Sequence, residues 1–264
     1  MAKFYNFVLG GRKVIRLIIS GCNGYMGKSV TAAAKEQQDI SIVAGFDIDT
    51  RQLDDFPVYG SPGDCAEKAD VIVDFSNADA LNALLEYAER NRLPLVLCST
   101  GYTNDQIKQI KAASERFPVF RSGNMSLGIN LLAELVRRAC AVLGEQYDIE
   151  IVERHHRRKL DAPSGTALML ADAAAEMLPA DPEYVCERES RRTPRQKHEI
   201  GISSVRGGTV VGQHDVMFLG RHEVIELRHT AESRDVFAVG AVNAARFMAS
   251  IKNPGLYTMS DVLA

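Results

Sequence analysis

Tryptophan is absent from this 264-residue chain, and its five cysteines, Cys22, Cys65, Cys98, Cys140 and Cys186, lie far apart with no CxxC pair. That spacing excludes a disulfide framework and a cysteine-built zinc site, and it predicts reduced, mostly buried thiols and a cytoplasmic address. No apolar run approaches the roughly 18 to 20 residues that cross a bilayer. The strongest early stretch, residues 14–19, is interrupted by Arg16 and runs into Ser20-Gly21 with no small-residue cleavage site behind it. Neither a membrane partner nor an export signal is expected. An excess of one charge is missing too: 31 Lys and Arg against 34 Asp and Glu leave a net charge of -3. Such a chain is not built to neutralise a polyanion, so nucleic acid is not an expected partner. Repeats and low-complexity tracts are lacking, and 46% hydrophobic with 25% charged residues excludes disorder and coiled coil. At about 150 residues per domain, one or two globular domains are expected.

What is present is an alternation of short β-branched runs with helical periodicity, the pattern of βαβ units under a parallel sheet. Strands are predicted at 13–20, 40–46, 69–74, 95–98 and 119–121. Helices fall between them: 25–35, with Met26, Val30 and Ala33 at helical spacing; one lined by Leu81, Leu84, Leu85 and Ala88; and one opened by a Thr103–Gln106 capping box. After Asn124 the grammar changes. A long amphipathic helix over 127–143 stops at Gly144, then come a strand at 148–154, a helix at 165–178 and a helix from 235 to about 251. Valine- and isoleucine-rich runs at 199–206, 209–219 and 223–230, parted by Gly207-Gly208 and Gly220-Arg221, read as an antiparallel meander. The expected fold is α/β: a Rossmann-type parallel-sheet domain over 1–125, completed by 235–264, plus an α+β domain over 126–234 with an open mixed sheet. An open sheet face is where subunits are expected to meet. Residues 1–12 read as an extra strand or an extension.

Two segments carry chemistry. The first is Gly21-Cys22-Asn23-Gly24-Tyr25-Met26-Gly27, between the first strand and the first helix. A glycine turn there lets helix N-terminal amides hold a pyrophosphate. Asp47 follows Gly27 by twenty residues, where a carboxylate accepts ribose hydroxyls. It would repel a 2′-phosphate unless a cation such as Arg51 sat beside it, so NADH is favoured over NADPH.

The second is the polar run from Glu150 to Thr166, with Glu153, His155, His156, Arg157, Arg158, Lys159, Asp161, Ser164, Gly165 and Thr166. It leaves a strand and feeds a helix. Amides at that helix start together with Lys159 make a site for a carboxylate, and a histidine beside them moves protons near neutral pH. The bland alternative is a solvated basic loop. A metal site is not expected, since adjacent histidines seldom ligate one ion and no HExxH or acidic triad accompanies them.

Read as E-x-x-E-x-H-H-x-x-K-x-D-x-P-S-G-T-A from Glu150, this run resembles the signature of the dihydrodipicolinate (4-hydroxy-tetrahydrodipicolinate) reductases of diaminopimelate and lysine biosynthesis. Gly21 to Gly27, Asp74-Phe75-Ser76, Ser99-Thr100-Gly101-Tyr102, the run from Gly123 to Gly128 and Pro254-Gly255-Leu256-Tyr257 agree in order, so the likeness covers essentially 14–264. The resemblance implies a homotetramer and NAD(P)H-dependent reduction of a cyclic dicarboxylate imine, with loss of water from the 4-hydroxy compound. By resemblance, Gly21, Cys22, Asn23, Gly24, Tyr25 and Met26 cradle the pyrophosphate and Asp47 holds the adenosine ribose. Cys98, Ser99, Thr100, Ser122, Gly123, Asn124 and Met125 position the nicotinamide end. His155 resembles the family's general acid and Lys159 its partner in catalysis and substrate binding; His156, Ser164, Gly165 and Thr166 bind the carboxylates. Sequence leaves open whether His155 or Lys159 delivers the proton. The family often has two threonines after a glycine where Cys98-Ser99-Thr100 stands, and an arginine where Tyr25 stands, departures that bear on cofactor preference.

Rival readings are a different Rossmann reductase and a nonenzymatic nicotinamide sensor; a sensor has no use for a proton donor beside an anion cradle. Arg188, Arg191, Arg192, Arg195 and Lys197 lack interleaved aromatics and read as a solvated connector or subunit contact. His214, His222 and His229 read as interface or surface residues.

Overall fold

The computed structural model describes residues 14–264, so the expectations for 1–12 and for Lys13 lie outside the described residues. Strand and helix alternate from the start: β1 (Ile15–Ser20), α1 (Tyr25–Lys35), β2 (Ile40–Phe46), β3 (Val58–Tyr59), β4 (Val71–Asp74), α2 (Leu81–Asn91), β5 (Leu95–Leu97), α3 (Asn104–Ser114) and β6 (Pro118–Arg121). There follow α4 (Leu127–Leu143), β7 (Asp148–His155), α5 (Gly165–Ala175), β8 (Glu183–Val185), β9 (Glu199–Arg206), β10 (Gly212–Leu219), β11 (Val224–Ala231), α6 (Asp235–Met248), β12 (Gly255–Tyr257) and α7 (Met259–Leu263). Contacts divide the chain into two units. One runs to Ser122 and takes back Ala241–Thr258; the other is Gly123–Gly240 with Met259–Ala264.

In the first unit seven strands pair in the order β12-β6-β5-β4-β1-β2-β3, all parallel. Helical crossovers impose that direction, and covering both faces explains why Leu17, Ile18 and Ile19 are all fully buried in β1. Ile18, Phe46, Ile72, Leu84, Leu95 and Val119 share one core. Side chains of this size contribute roughly 1.5–3 kcal/mol each on burial. The chain leaves β1 toward β2 on one side and later places β4 on the other. The crevice at such a reversal, beyond the carboxyl ends of the strands, is the binding position of open α/β sheets. The glycine turn lies there.

The second unit holds a five-stranded mixed sheet, ordered β11-β10-β7-β9-β8, with α4 and α5 packed on one face. Here the expected meander is corrected. β9 pairs in parallel with β7, not with β10, and β10 lies between β7 and β11. The reason is α5: a helix between β7 and β9 returns the chain in the same direction, which makes the pair parallel. Gly207-Gly208 is therefore no hairpin turn but a crossing over the end of β7. Gly207 N–H donates to His155 O at 3.0 Å and Arg157 N–H to Gly208 O at 3.3 Å.

The tail also departs from expectation. Residues 259–264 belong to the second unit rather than the first, with Met259 fully buried and Ser260 Oγ bonded to Glu134 Oε1 at 3.2 Å. Met259, the buried first residue of α7, anchors this segment in the second unit, and its sequence position gave no hint of that.

Candidate active site

In the first unit the glycine turn is shaped by sterics. Gly21 has φ +75°, and a Cβ on it would lie 2.8 Å from the carbonyl carbon and oxygen of Phe75. At Gly27 a Cβ would fall 2.0 Å from Gly21 O, so the first turn of α1 closes directly on the loop. Gly24 is the N-cap of α1 and offers no side-chain cap, and no acidic residue stands in the first turn. A helix start without a side-chain cap is the arrangement in which an anion can take the first amides.

Beside them, Asn23 N–H donates to Asp47 Oδ2 at 2.9 Å and Asp49 N–H to Asp47 Oδ1 at 3.0 Å. These bonds orient the Asp47 carboxylate at the end of β2. Asn23 Nδ2 holds Asp49 O and Arg51 O at 2.7 and 2.9 Å, tying the turn to the next loop. Arg51, the cation nearest in sequence, is paired with Asp49 at 2.6 Å, and that hydrogen bond holds the Asp49 carboxyl down at about 2. Together these features fit a dinucleotide: amides for the pyrophosphate, a carboxylate for ribose hydroxyls. Cys22 is buried and its thiol is pushed up to about 11 by that burial and by Asp47, so it is packing and not a nucleophile. Tyr25 is exposed, and Met26 follows it in α1.

The loops after β4 and β5 share one fulcrum. Asp74, fully buried, accepts from Ser99 Oγ at 2.8 Å and from Ser76 N–H at 3.0 Å. Cys98, Ser99 and Thr100 are thereby fixed at the carboxyl edge, and desolvation pushes the Cys98 thiol well above its ordinary range. Ser122 ends this unit.

Gly123, Asn124 and Met125 open the second unit, and their backbone is pinned. Asn124 Oδ1 accepts from Ser126 N–H at 2.8 Å, Asn130 Nδ2 donates to Asn124 O at 2.8 Å, and Met125 is buried. Asn124 Nδ2 also donates to Thr166 Oγ1 at 3.0 Å, joining the start of this unit to the start of α5.

β7 supplies the rest. Its alternation buries Ile149, Ile151, Glu153 and His155 on the face under the helices. The apolar ladder ends in two polar rungs, and those rungs are the centre of the site. The Glu153 carboxylate, fully buried, lies 2.6 Å from His155 Nδ1 and accepts both terminal nitrogens of Arg206 at 2.7 Å and Ser164 N–H at 3.1 Å. Burial alone would raise this carboxyl, but hydrogen bonds from Arg206, Ser204 and His155 outweigh it and hold it at about 2. A carboxylate only accepts, so His155 Nδ1 carries a proton. Burial draws the imidazole below its ordinary pKa against the pull of Glu153, with Lys159 and Arg206 adding to the lowering.

His155, Asn124, Thr166, His214 and His229 line one cavity of about 40 Å³. Lys159 Nζ pairs with Asp161 Oδ1 at 2.8 Å in the turn after β7. His156 Nε2 lies 3.4 Å from Arg234 Nη2, and its buried Nδ1 has no partner among the described residues. Ser164 caps α5 by accepting from Ala167 N–H at 3.1 Å, and its hydroxyl is 3.0 Å from His214 Nε2. Gly165 begins α5 exposed, where a Cβ would meet nothing within 4 Å.

Three participants escaped sequence reasoning. Glu153 and Arg206 were visible as residues but not as a pair, because their contact is a parallel β7–β9 neighbourhood. His214, expected at a surface or interface, is 3% exposed beside His155, with ring centroids 5.2 Å apart. Its signal was parity: it occupies a covered-face position of β10 opposite Glu153. Burial and the neighbouring His155 lower its pKa to about 4, so it is neutral. Two arginines of the basic connector are paired within the chain: Arg188 with Glu199 at 2.7 Å, and Arg195 with Asp148 and Glu150 at 2.8 and 3.0 Å.

A Rossmann-type unit with a fitted dinucleotide cradle, and a second unit with a histidine–carboxylate pair beside a lysine, define the class: a nicotinamide-dependent oxidoreductase. The family is particular. Residues 15–125 match the family model described as dihydrodipicolinate reductase, N-terminus, and residues 128–263 its C-terminus; the chain belongs to the dihydrodipicolinate reductase family. It is 51% identical over 250 residues to a 4-hydroxy-tetrahydrodipicolinate reductase of Caldanaerobacter subterraneus subsp. tengcongensis, covering 95% of this chain and 98% of that one. It is 46% identical over 248 residues to the enzyme of the same name from Clostridium novyi, covering 94% and 98%. Among solved structures, a dipicolinate-bound dihydrodipicolinate reductase from Paenisporosarcina sp. TG-14 superposes with TM-score 0.78 at 25% identity, covering 93% of this chain and 97% of that one.

Proposed function

We propose that this chain reduces 4-hydroxy-tetrahydrodipicolinate, by way of dihydrodipicolinate, to tetrahydrodipicolinate with NADH or NADPH in diaminopimelate and lysine biosynthesis. The observation that carries this is His155 held by buried Glu153 in one cavity with Asn124 and Thr166, in a chain of this family. The nicotinamide, when bound, supplies a hydride. The chain does the rest. Amides from Gly21 to Met26 hold the pyrophosphate and Asp47 the ribose, while Cys98, Ser99, Thr100, Ser122, Gly123, Asn124 and Met125 position the nicotinamide end. Lys159, His156 and the α5 start at Ser164, Gly165 and Thr166 bind the two carboxylates, since a dianion needs cations and amide dipoles. Arrival of the dianion raises the proton affinity of His155, which gives a proton to the enamine left by reduction. Lys159 stabilises the charge on the substrate beside it.

Asp47 favours NADH, because a carboxylate that holds the ribose repels a 2′-phosphate and Arg51, the nearest cation in sequence, is engaged by Asp49. The protein works in the cytoplasm as a homotetramer built on the open face of the second sheet. Among the described residues no helix is long and apolar enough to cross a membrane.

The test is loss of reduced-nicotinamide absorbance with substrate made in place from pyruvate and aspartate semialdehyde by the preceding synthase. Synthase-dependent oxidation, faster with NADH, is expected. His155→Gln and Lys159→Ala should lower turnover on the order of 10²-fold or more with cofactor binding retained. Absence of oxidation with either cofactor, despite binding, would overturn the assignment.

A further inference from the structure

We propose that Glu153 is a positioning residue that keeps the Nδ1 proton on His155, so that only Nε2 exchanges the catalytic proton. The inference rests on the reading of His155 as proton donor. Three observations carry it. Glu153 is fully buried, and each of its oxygens is occupied: Oε1 by Arg206 Nη2 and Ser164 N–H, Oε2 by Arg206 Nη1 and His155 Nδ1. Its two-pronged bond to Arg206 keeps it an anion, which has nothing to donate, so the shared proton belongs to the imidazole. His155 Nε2 is on the opposite side of the ring, beside Gly212, where a Cβ would lie 3.1 Å from it; a side chain there would crowd the nitrogen.

A proton delivered from Nε2 of the charged imidazolium leaves the neutral ring with its proton on Nδ1, the form Glu153 stabilises. The ring therefore need not turn between turnovers. Other titratable and charged groups facing the imidazole are Arg206 on β9, His214 on β10, His229 on β11, and Lys159 with Asp161 after β7. Of these only Glu153 bonds Nδ1.

Glu153→Gln is informative because its size is unchanged. Ser164 N–H and Arg206 Nη2 both require the acceptor in the Oε1 place, so the glutamine carbonyl takes that place. Its NH2 takes the Oε2 place and faces His155 Nδ1, which must then accept, while Arg206 Nη1 gives up that acceptor and keeps Val205 O. The favoured tautomer becomes Nε2–H. Imidazole nitrogen NMR on the histidine-labelled protein reads this directly. In the unmodified enzyme Nδ1 should be protonated; in Glu153→Gln the proton should move to Nε2, and the His155 titration should shift downward. In the assay, kcat should fall on the order of 10²-fold with KM changed by less than about threefold, and its pH limb should move with the NMR titration. Glu153→Asp, which keeps the charge, should recover part of the loss and the Nδ1 tautomer.

An Nε2–H tautomer in the unmodified enzyme overturns the proposal without any variant. So does a folded Glu153→Gln protein with unchanged tautomer and titration. If instead the tautomer moves while His155→Gln retains full turnover, Glu153 positions the ring as proposed and the assignment of His155 as proton donor fails.

Discussion

His155 and His214 are neighbours buried in their neutral forms, and that choice is written into the stability of the protein. The pKa of His214 is lowered to about 4 from 6.5, so between those values the unfolded chain binds a proton that the folded one refuses. Its stabilising contribution is complete above pH 6.5 and is lost as pH falls toward 4. His155 and His229, also lowered, add in the same direction. Glu153 acts in a lower window, since its carboxyl is held at about 2 and its contribution fades only between pH 4.5 and 2. Urea midpoints should therefore drop from pH 7 to pH 4, with His214 accounting for on the order of 2–3 kcal/mol. His214→Gln should flatten that drop; an unchanged slope would show that the histidine is not the source. At this scale the sequence was half legible. Gly21, Gly24, Gly27 and Asp47 announce themselves by spacing, and His155 and Lys159 by the run they sit in. Glu153, Arg206 and His214 become partners only through pairings among three neighbouring strands, β9, β7 and β10, and no local pattern encodes such pairings.

The glycine turn illustrates what an element can do that its residues cannot do singly. Gly27 is a helix position, where alanine would ordinarily be the better residue by about 1 kcal/mol. Here a Cβ would sit 2.0 Å from Gly21 O and 2.7 Å from Cys22 Cα, so Gly27→Ala must lever α1 away from the loop. Calorimetric titration with NADH should show affinity reduced on the order of 100-fold, about 3 kcal/mol. Gly63→Ala in the same unit is the control: a Cβ there meets only Ser61 Oγ, at 3.7 Å, and affinity should be unchanged. Equal losses in both would trace the effect to general destabilisation. Elements with a full period were readable in advance: α1 over Tyr25–Lys35, β2 over Ile40–Phe46 and α4 over Leu127–Leu143 stand where their patterns placed them. β3, β8 and β12, of two or three residues, are too short to show a period and were missed. The meander failed for another reason. Periodicity marks β9, β10 and β11 as strands, but neighbour order depends on α5 returning the chain parallel to β7, and alternation is blind to that.

At the scale of the whole molecule, the second sheet has one face under α4 and α5 and another that carries Glu150, reached by Arg188 and Arg195 of the connector, and exposed valines. Register decides which residues face where. Val224 opposes Leu219 and Arg228 opposes Asp215, while Ile225 opposes Phe218 of the helix-covered core. Val224 and, on β9, Val205 opposite Arg154 thus belong to the open face, 55% and 48% exposed. Charges share that face and are already matched: Arg154 and Arg228 both bind Asp215, which is 2% exposed. Apolar side chains between neutralised ion pairs suit association, because a partner sheet covers them without stranding a charge. If the proposed homotetramer forms there, sedimentation should give four times the 29.0 kDa chain mass. Val224→Asp with Val205→Asp should reduce that mass, since each places an unpaired carboxylate where a partner would bury it. Binding of adenosine diphosphate ribose is the control, because Gly21 to Gly27 and Asp47, proposed to hold the pyrophosphate and adenosine ribose, lie within the first unit and that binding should survive. A tetramer that persists in the double variant would move the interface elsewhere, and a chain that sediments at 29.0 kDa without any substitution would remove the tetramer altogether.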